Sequence, residues 1–128
     1  MKRTVVGLVE PVKIVGRRRI IETLGKFDTG AMRTSIDENL VSKIGVNPIG
    51  KVTTLSVHGK SVRPLVDLKL NIKGKTIKVR ANVSDRSSRR YKILVGRDVI
   101  FQNFVIDISK SHQSPKLRDL NESMRNRK

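Results

Sequence analysis

Residues 51–83 alternate apolar and polar side chains, and this period of two restricts the possible folds more than any other feature of the chain. The alternation is interrupted at HGK (58–60) and at KGK (73–75), where glycine allows a tight turn. Each turn joins two β-rich runs, so the segment predicts two β-hairpins. The predicted inner face of the second hairpin is formed by Leu68, Leu70 and Ile72, opposite Ile77, Val79 and Ala81.

The rest of the chain adds further short strands. The runs TVVGLVEPVKIV (4–15) and IIETLGKF (20–27) predict strands before the hairpins, and YKILVG (91–96) and FVIDIS (104–109) predict two more after them. Gly25, inside the second run, indicates a bulge or a close approach of two backbones. These runs make the protein mainly β.

One or two short helices complete the predicted secondary structure. In SIDENLVSKIG (35–45) the apolar period becomes that of an α-helix. Ser35 or Asp37 can cap the first turn, and Gly45 stands where a left-handed C-terminal cap is expected. A second helical turn is predicted at RDVIFQN (97–103). The apolar face of the first helix is formed by Ile36, Leu40, Val41 and Ile44.

The 128 residues predict one domain with a modest core, followed by a tail. The domain covers 1–109, and the polar, basic segment 110–128 predicts a tail that is flexible or ordered only by a partner. No apolar run reaches the roughly 20 residues of a membrane span. The first residues lack a signal-peptide core as well, because Glu10, Pro11 and Lys13 interrupt them. We therefore expect a cytoplasmic protein without a membrane partner.

The formal net charge of +17 predicts attraction to polyanions, such as an acidic peptide, a nucleic acid or the ribosome. Sequence-specific binding of single strands usually needs aromatic side chains on which bases stack. The chain has one tyrosine, three phenylalanines and no tryptophan. The composition thus favours a weak electrostatic attraction to nucleic acid or the ribosome, and charge that serves solubility alone is the simpler alternative.

Several kinds of active site have no residues to support them. The chain has no cysteine, which removes disulfides, thiolate nucleophiles and cysteine zinc ligands. His58 lies in a predicted turn and His112 in the tail, so they do not form a zinc motif. Walker A and Gly-x-Ser-x-Gly sequences are absent too. We therefore expect neither a metal nor a cofactor.

The sequence KFDTGAMRTSI (26–36) contains the strongest candidate for catalysis. Asp28 follows an apolar strand and precedes Thr29 and Gly30, and by itself such a tripeptide also fits an ordinary turn. The small residues after Asp28 let the backbone turn close beneath its carboxylate. A second apolar run, ILVG (93–96), lies far downstream. Asp28 is therefore either a turn residue or one of a pair of catalytic carboxylates.

These two motifs together resemble those of the retropepsins, the single-lobe aspartic peptidases of retroviruses and their cellular relatives. The order of several segments is similar to that in one retropepsin-like family, commonly labelled ATP-dependent zinc proteases. These segments are Glu10 after VVGLV, then KFDTGAMRTSI, RPLVDLKL, NVSDRSSRRYKILVGRDVI and FVIDIS. The resemblance covers about residues 5–108. It implies an acid-protease fold, a closed β-barrel that forms a two-fold homodimer. The chain itself has no zinc or ATP motif to match the label.

The resemblance also implies a role for each residue of the two motifs. Asp28 would supply the catalytic carboxylate, and Thr29 would tie two Asp-bearing loops together across the two-fold axis. Gly30, next to Ala31, would let the substrate backbone approach. Retroviral enzymes have an aspartate at the position of Met32 that pairs with the arginine of the second motif, so that arginine needs another partner here. The supporting loop is formed by Leu94, Val95, Gly96, Arg97 and Asp98.

Two functions from different classes follow. The first is an aspartic endopeptidase in which Asp28 of two identical chains activates a water molecule, with a peptide or protein as substrate and an acidic peptide suggested by the net charge. The second is a non-catalytic module that binds RNA, the ribosome or another polyanion through its basic surface. The flap over the substrate would be the turn at His58, Gly59 and Lys60, and the turn at Gly74 is the alternative.

Overall fold

The computed structural model describes residues 2–110, which form nine β-strands, two short α-helices and one 3-10 turn. In chain order the elements are β1 (Thr4–Val6), β2 (Val9–Val15), β3 (Ile20–Phe27), β4 (Ser35–Asp37), α1 (Glu38–Ile44), β5 (Gly50–Ser56), β6 (Gly59–Ile72), β7 (Lys75–Ser84), β8 (Ile93–Val95), α2 (Arg97–Ile100), β9 (Phe104–Ile106) and the 3-10 turn (Ile108–Lys110). The predicted mainly β class is confirmed.

Six of the strands form a closed barrel in the order β2-β3-β8-β4-β7-β6, and β6 pairs with β2 to close it. Strand β6 is 14 residues long and takes part in both predicted hairpins. It pairs with β5 as far as Leu65, with β2 from Lys69, and with β7 from Leu65 to Ile72. A single extended strand therefore connects the β5–β6 hairpin to the barrel.

The alternation in the second hairpin places its apolar residues in the core. Leu68, Leu70 and Ile72 are buried, and their partners across the strands include Val79 and Ile77. These side chains pack inside the barrel with the ends of β3 and β8. Below the end of β3, the ring of Phe27 meets that of Phe104 edge to face, with centroids 5.6 Å apart. The strand that carries the candidate site therefore ends in the core.

Helix α1 begins later than the sequence predicted. Ser35 and Ile36 lie in β4, which pairs with β7 on one side and with β8 on the other. Their backbone groups are used in these two ladders, so they cannot begin a helix. Asp37 alone is the N-cap and accepts a hydrogen bond from the backbone N–H of Asn39. The predicted left-handed cap is confirmed, because Gly45 has φ 74°.

The two ends of the described chain form a separate ribbon. Strands β1 and β9 pair in parallel, with Val5 opposite Val105, and neither strand belongs to the barrel. The predicted strand 4–15 is therefore two strands, and the predicted strand 104–109 ends at Ile106. Glu10 stabilises the break between β1 and β2, because its buried carboxylate accepts a hydrogen bond from the backbone N–H of Gly7 (2.8 Å).

Gly25 lies where two backbones approach closely, one of the two alternatives predicted for it. A Cβ atom at this position would lie 2.7 Å from a methyl group of Val12. At the other end of the domain, Lys110 still belongs to the 3-10 turn, and the rest of the predicted tail lies outside the described residues. Within residues 2–110, no helix is long and apolar enough to cross a membrane.

Candidate active site

Asp28 directly follows β3 and begins a turn that is fixed by hydrogen bonds to β8 and within the turn itself. Its N–H donates to the carbonyl oxygen of Val95 (2.8 Å), which extends the parallel β3–β8 pairing by one bond. Its side chain accepts a hydrogen bond from the N–H of Gly30 through Oδ1 (2.8 Å), and its carbonyl oxygen accepts one from the N–H of Ala31 (3.2 Å). Asp28 is half-buried and Thr29 is exposed. The carboxylate therefore sits fixed over a tight turn beside solvent.

The supporting loop packs against the Asp28 turn through Gly96. A Cβ atom on this glycine would lie 2.7 Å from the carbonyl carbon of Arg33 and 2.9 Å from the backbone N of Thr34. Real Cβ atoms essentially never come so close to backbone atoms. The loop after β8 and the loop after Asp28 can therefore cross only where the residue is glycine.

Thr34 and Asp98 join these two loops, a connection that the sequence did not reveal. The hydroxyl of Thr34 is buried, donates to Asp98 Oδ1 (2.7 Å) and accepts from the N–H of Gly96 (3.1 Å). The carboxylate of Asp98 also accepts from the backbone N–H of Thr34. Thr34 lies inside the first motif and Asp98 ends the supporting loop, but no spacing rule pairs residues so far apart in the sequence.

The second-motif arginine has no acidic partner in the described part of the chain. Arg97 is exposed, and the two ion pairs found in residues 2–110 do not include it. Its backbone N–H donates to the carbonyl oxygen of Ala31 (2.8 Å), next to Met32, whose side chain is exposed. The hydrogen bonds between the two loops are thus made by backbone groups and by Asp98.

We expect Thr34→Val to destabilise the protein by about 3 kcal/mol, since it leaves the Gly96 N–H buried without an acceptor and removes the hydroxyl hydrogen bond to Asp98. Thr34→Ser keeps the hydroxyl, loses one buried methyl group and should cost only about 1 kcal/mol. Urea denaturation of both variants measures the difference. Equal losses in the two variants would mean that packing, rather than the hydroxyl, joins the loops.

The candidate flap and its alternative lie at different places. His58, Gly59 and Lys60 form the exposed tip of the β5–β6 hairpin, where Leu55 and Val57 are 75% and 96% exposed. The turn at Lys73 and Gly74 is tied to the barrel instead. The ammonium of Lys73 lies 3.7 Å from the buried carboxylate of Glu10. Of the two turns, only the first projects as a hairpin without such an ion pair in the described chain.

Two arginines that the sequence did not single out, Arg86 and Arg63, interact electrostatically. Partial burial lowers the pKa of the Arg86 guanidinium, and the positive charges of Arg89 and Arg63 lower it further, whereas Asp37 and Asp28 raise it. Arg63, near the base of the β5–β6 hairpin, also donates to Asn82 Oδ1 (3.4 Å). Of the charges that act on Arg86, that of Asp28 has the smallest effect.

The site can provide one carboxylate and positive charge around it. Within residues 2–110, no group of three His, Asp or Glu side chains is arranged to hold a metal ion. Aspartic peptidase chemistry needs two carboxylates. The described chain carries the Asp-Thr-Gly turn once, so a second carboxylate would have to come from a second copy.

The fold is similar to that of several solved structures. A Legionella pneumophila protein of unknown function (DUF785) is 21% identical, with a TM-score of 0.61 over 88% of this chain and 98% of that one. The simian foamy virus protease is 18% identical, with a TM-score of 0.54 over 72% and 90%. The EIAV protease, solved with the inhibitor HBY-793, is 20% identical, with a TM-score of 0.53 over 77% and 86%.

The barrel, the two helices and these likenesses define a retropepsin-like fold, as the sequence resemblance predicted. No protein-family model matches the sequence, and no curated protein matches it either. At these identities the likeness concerns the fold alone, so the function has to be argued from the site.

Proposed function

We propose that the protein is an aspartic endopeptidase that acts as a homodimer. The observation that carries the proposal is the Asp28 turn. Its carboxylate is half-buried at the end of a core strand and is fixed by the N–H of Gly30, in a chain with a retropepsin-like fold. The second loop, which crosses at Gly96, helps to hold Asp28 in place, and an ordinary turn residue at the surface would not need this support.

In the proposed mechanism two copies of Asp28 face each other across a two-fold axis, since a two-fold interface brings identical residues together. Two adjacent carboxylates share one proton because they cannot both ionise at close range. The ionised one takes a proton from water, which attacks the carbonyl carbon of the scissile peptide bond. The protonated one donates to the carbonyl oxygen. Collapse of the tetrahedral intermediate, with proton transfer to the leaving nitrogen, breaks the C–N bond.

The β5–β6 hairpin is the proposed flap. Its tip, at His58, Gly59 and Lys60, carries no ion pair to the barrel within residues 2–110, and it leaves Leu55 and Val57 exposed. Apolar side chains on a projecting hairpin would cover a bound peptide and exclude water from the reacting carboxylates. The proposal assigns Thr29 to the contact between the two Asp28 loops, because it is exposed at the turn.

An aspartic peptidase of this kind is tested by its inhibitors and by dilution. We expect the protein to cleave peptides, to be inhibited by a pepstatin-type compound, and to be unaffected by EDTA. Its activity per mole should fall on dilution, because a site completed by a second chain is lost when the dimer dissociates. Activity that EDTA removes, or that does not depend on protein concentration, would contradict the proposal.

We further expect acidic peptides to be the better substrates. The charges of Arg63 and Asp28 both act on Arg86, and the net charge is +17. A peptide with glutamates on both sides of the scissile bond should have a kcat/KM about tenfold above that of its lysine counterpart at low salt. The difference should shrink near 1 M salt, where the Debye length is about 3 Å. A preference for the lysine peptide would exclude this specificity.

If the protein cleaves no peptide, the alternative function is a non-catalytic module that binds RNA or the ribosome. Retention on RNA that falls steeply with salt would support it, because counterion release dominates such binding. The basic surface alone does not favour it over the peptidase, since the described residues include few exposed aromatic side chains on which bases could stack.

A further inference from the structure

The loop between β7 and β8 is built around the side chain of Lys92. Its Nζ donates hydrogen bonds to the backbone oxygens of Arg86 (3.0 Å), Ser87 (2.8 Å) and Arg89 (2.8 Å). An ammonium group has three N–H donors, and here all three are used by one short segment. The carbonyl groups of Arg86, Ser87 and Arg89 therefore converge on a single cation supplied by the chain itself.

A second side chain fastens the same loop to the core. The buried carboxylate of Asp37 accepts a hydrogen bond from the backbone N–H of Arg86 (2.7 Å). Its own backbone N–H donates to the carbonyl oxygen of Lys92 (2.8 Å). Asp37 thus holds both ends of the loop, while Lys92 fixes its interior. Charge-assisted hydrogen bonds of this kind are the stronger ones in proteins.

These contacts determine where the Arg86 guanidinium points. Its Nε donates to the carbonyl oxygen of Tyr91 (2.9 Å), which bends the side chain back over the loop. No carboxylate in residues 2–110 forms an ion pair with it, although it is half-buried. The guanidinium therefore keeps N–H donors for a ligand. The loop is connected to the candidate site through β4, because Asp37 of β4 holds the loop and β4 pairs with β8, whose Val95 accepts a hydrogen bond from the Asp28 N–H.

We propose that Lys92 is a positioning residue for substrate specificity. By gathering three carbonyl groups around its ammonium, it holds the loop in the one conformation in which Arg86 can bind a carboxylate of the substrate next to Asp28. Lys92 itself touches no substrate and acts through Arg86. This inference rests on the proposed function for the identity of the substrate, but its test does not require turnover.

The test measures binding of a fluorescent glutamate-rich peptide in the Asp28→Asn background, which does not cleave it. We expect Lys92→Met to raise the Kd about tenfold, the loss of one charge-assisted contact. Lys78→Met removes one positive charge from an exposed strand position and should change the Kd less than about twofold at moderate salt. Lys92→Gln, which keeps two N–H donors, gives the same comparison if the methionine variant does not fold.

A double-mutant cycle with Arg86→Met separates positioning from a general loss of charge. If Lys92 acts through Arg86, the double variant should bind no more weakly than Arg86→Met alone. Additive losses, or an unchanged Kd in a folded Lys92 variant, would overturn the inference. Tight peptide binding without cleavage by the wild-type protein would instead refute the proposed peptidase and leave the positioning role intact.

Discussion

Asp28→Asn is expected to abolish peptide hydrolysis, with a loss of about 10⁴-fold or more in kcat, as is usual when a residue that performs the chemistry is removed. The amide cannot take a proton from water. Its oxygen can still accept the hydrogen bond that the N–H of Gly30 makes with Asp28 Oδ1, so the turn should remain folded. The loss should therefore appear in activity and not in thermal stability.

Asp67→Asn is the matched control for this variant. Asp67 is an exposed carboxylate on β6, and Arg80 lowers its pKa through a direct hydrogen bond. Losing this fully exposed ion pair should hardly change the stability and should leave the activity unchanged, because solvent screens the pair. Activity that survives in a purified Asp28→Asn protein would exclude the proposed chemistry.

A mixing experiment tests the shared site directly. When wild-type protein is mixed with Asp28→Asn protein and the subunits exchange, only pairs of wild-type chains should be active. Activity should then fall with the square of the wild-type fraction, to about one quarter in an equal mixture of randomly exchanging subunits. A linear fall would indicate that each chain contains a complete site and that the dimer is not needed.

Gly96→Ala is expected to destabilise the protein by about 3 kcal/mol, at the upper end for an overpacked site. The added methyl group would lie within 2.9 Å of backbone atoms of Arg33 and Thr34, which cannot rotate away. Separating the loops would weaken the hydrogen bond from the Gly96 N–H to the hydroxyl of Thr34. Thermal denaturation should show a Tm lower by roughly 10 °C.

Gly50→Ala provides the control for the glycine substitution. Gly50 begins β5, and a Cβ atom there would meet nothing within 4 Å. The same chemical change should therefore shift stability by less than about 1 kcal/mol, because only chain entropy and strand propensity differ. If both variants lose stability equally, the close crossing at Gly96 does not constrain the fold.

The sequence predicted best the strands whose pairing partner is a neighbour along the chain, because the pattern of both strands and their turn then lies in one short segment. The alternation of Leu68, Leu70 and Ile72 needs only the turn at Gly74 to define its hairpin and register. Ile36 was predicted on the apolar face of the helix because its spacing fits one, and Ser35 was one of the two candidate caps. Their actual partners are β7 and β8, far along the chain, and tertiary pairing overrides such a local preference.

The residues of the candidate site also fall into two groups, those that the sequence predicted and those that only the structure reveals. Asp28 and Gly96 could be found because each lies in a short motif with its own chemical requirement. The hydrogen bonds of Thr34 with Asp98 and of Asp37 with Arg86 join residues that no periodicity relates. Side-chain contacts between distant loops depend on how the barrel closes, so they appear only with the fold.

The long strand β6 has a mechanical consequence. At about 3.3 Å per residue, its 14 residues extend over roughly 46 Å, from the hairpin tip to the far turn. Residues 66–68 lie between the end of the β5 ladder and the start of the β2 ladder and are paired with β7 alone. The β5 and β7 ladders along β6 overlap only at Leu65, and the core holds Val66 and Leu68 beyond it. We therefore expect the hairpin to bend against the barrel on the tip side of Leu65, where β5 is the only neighbouring strand of β6 in the described chain.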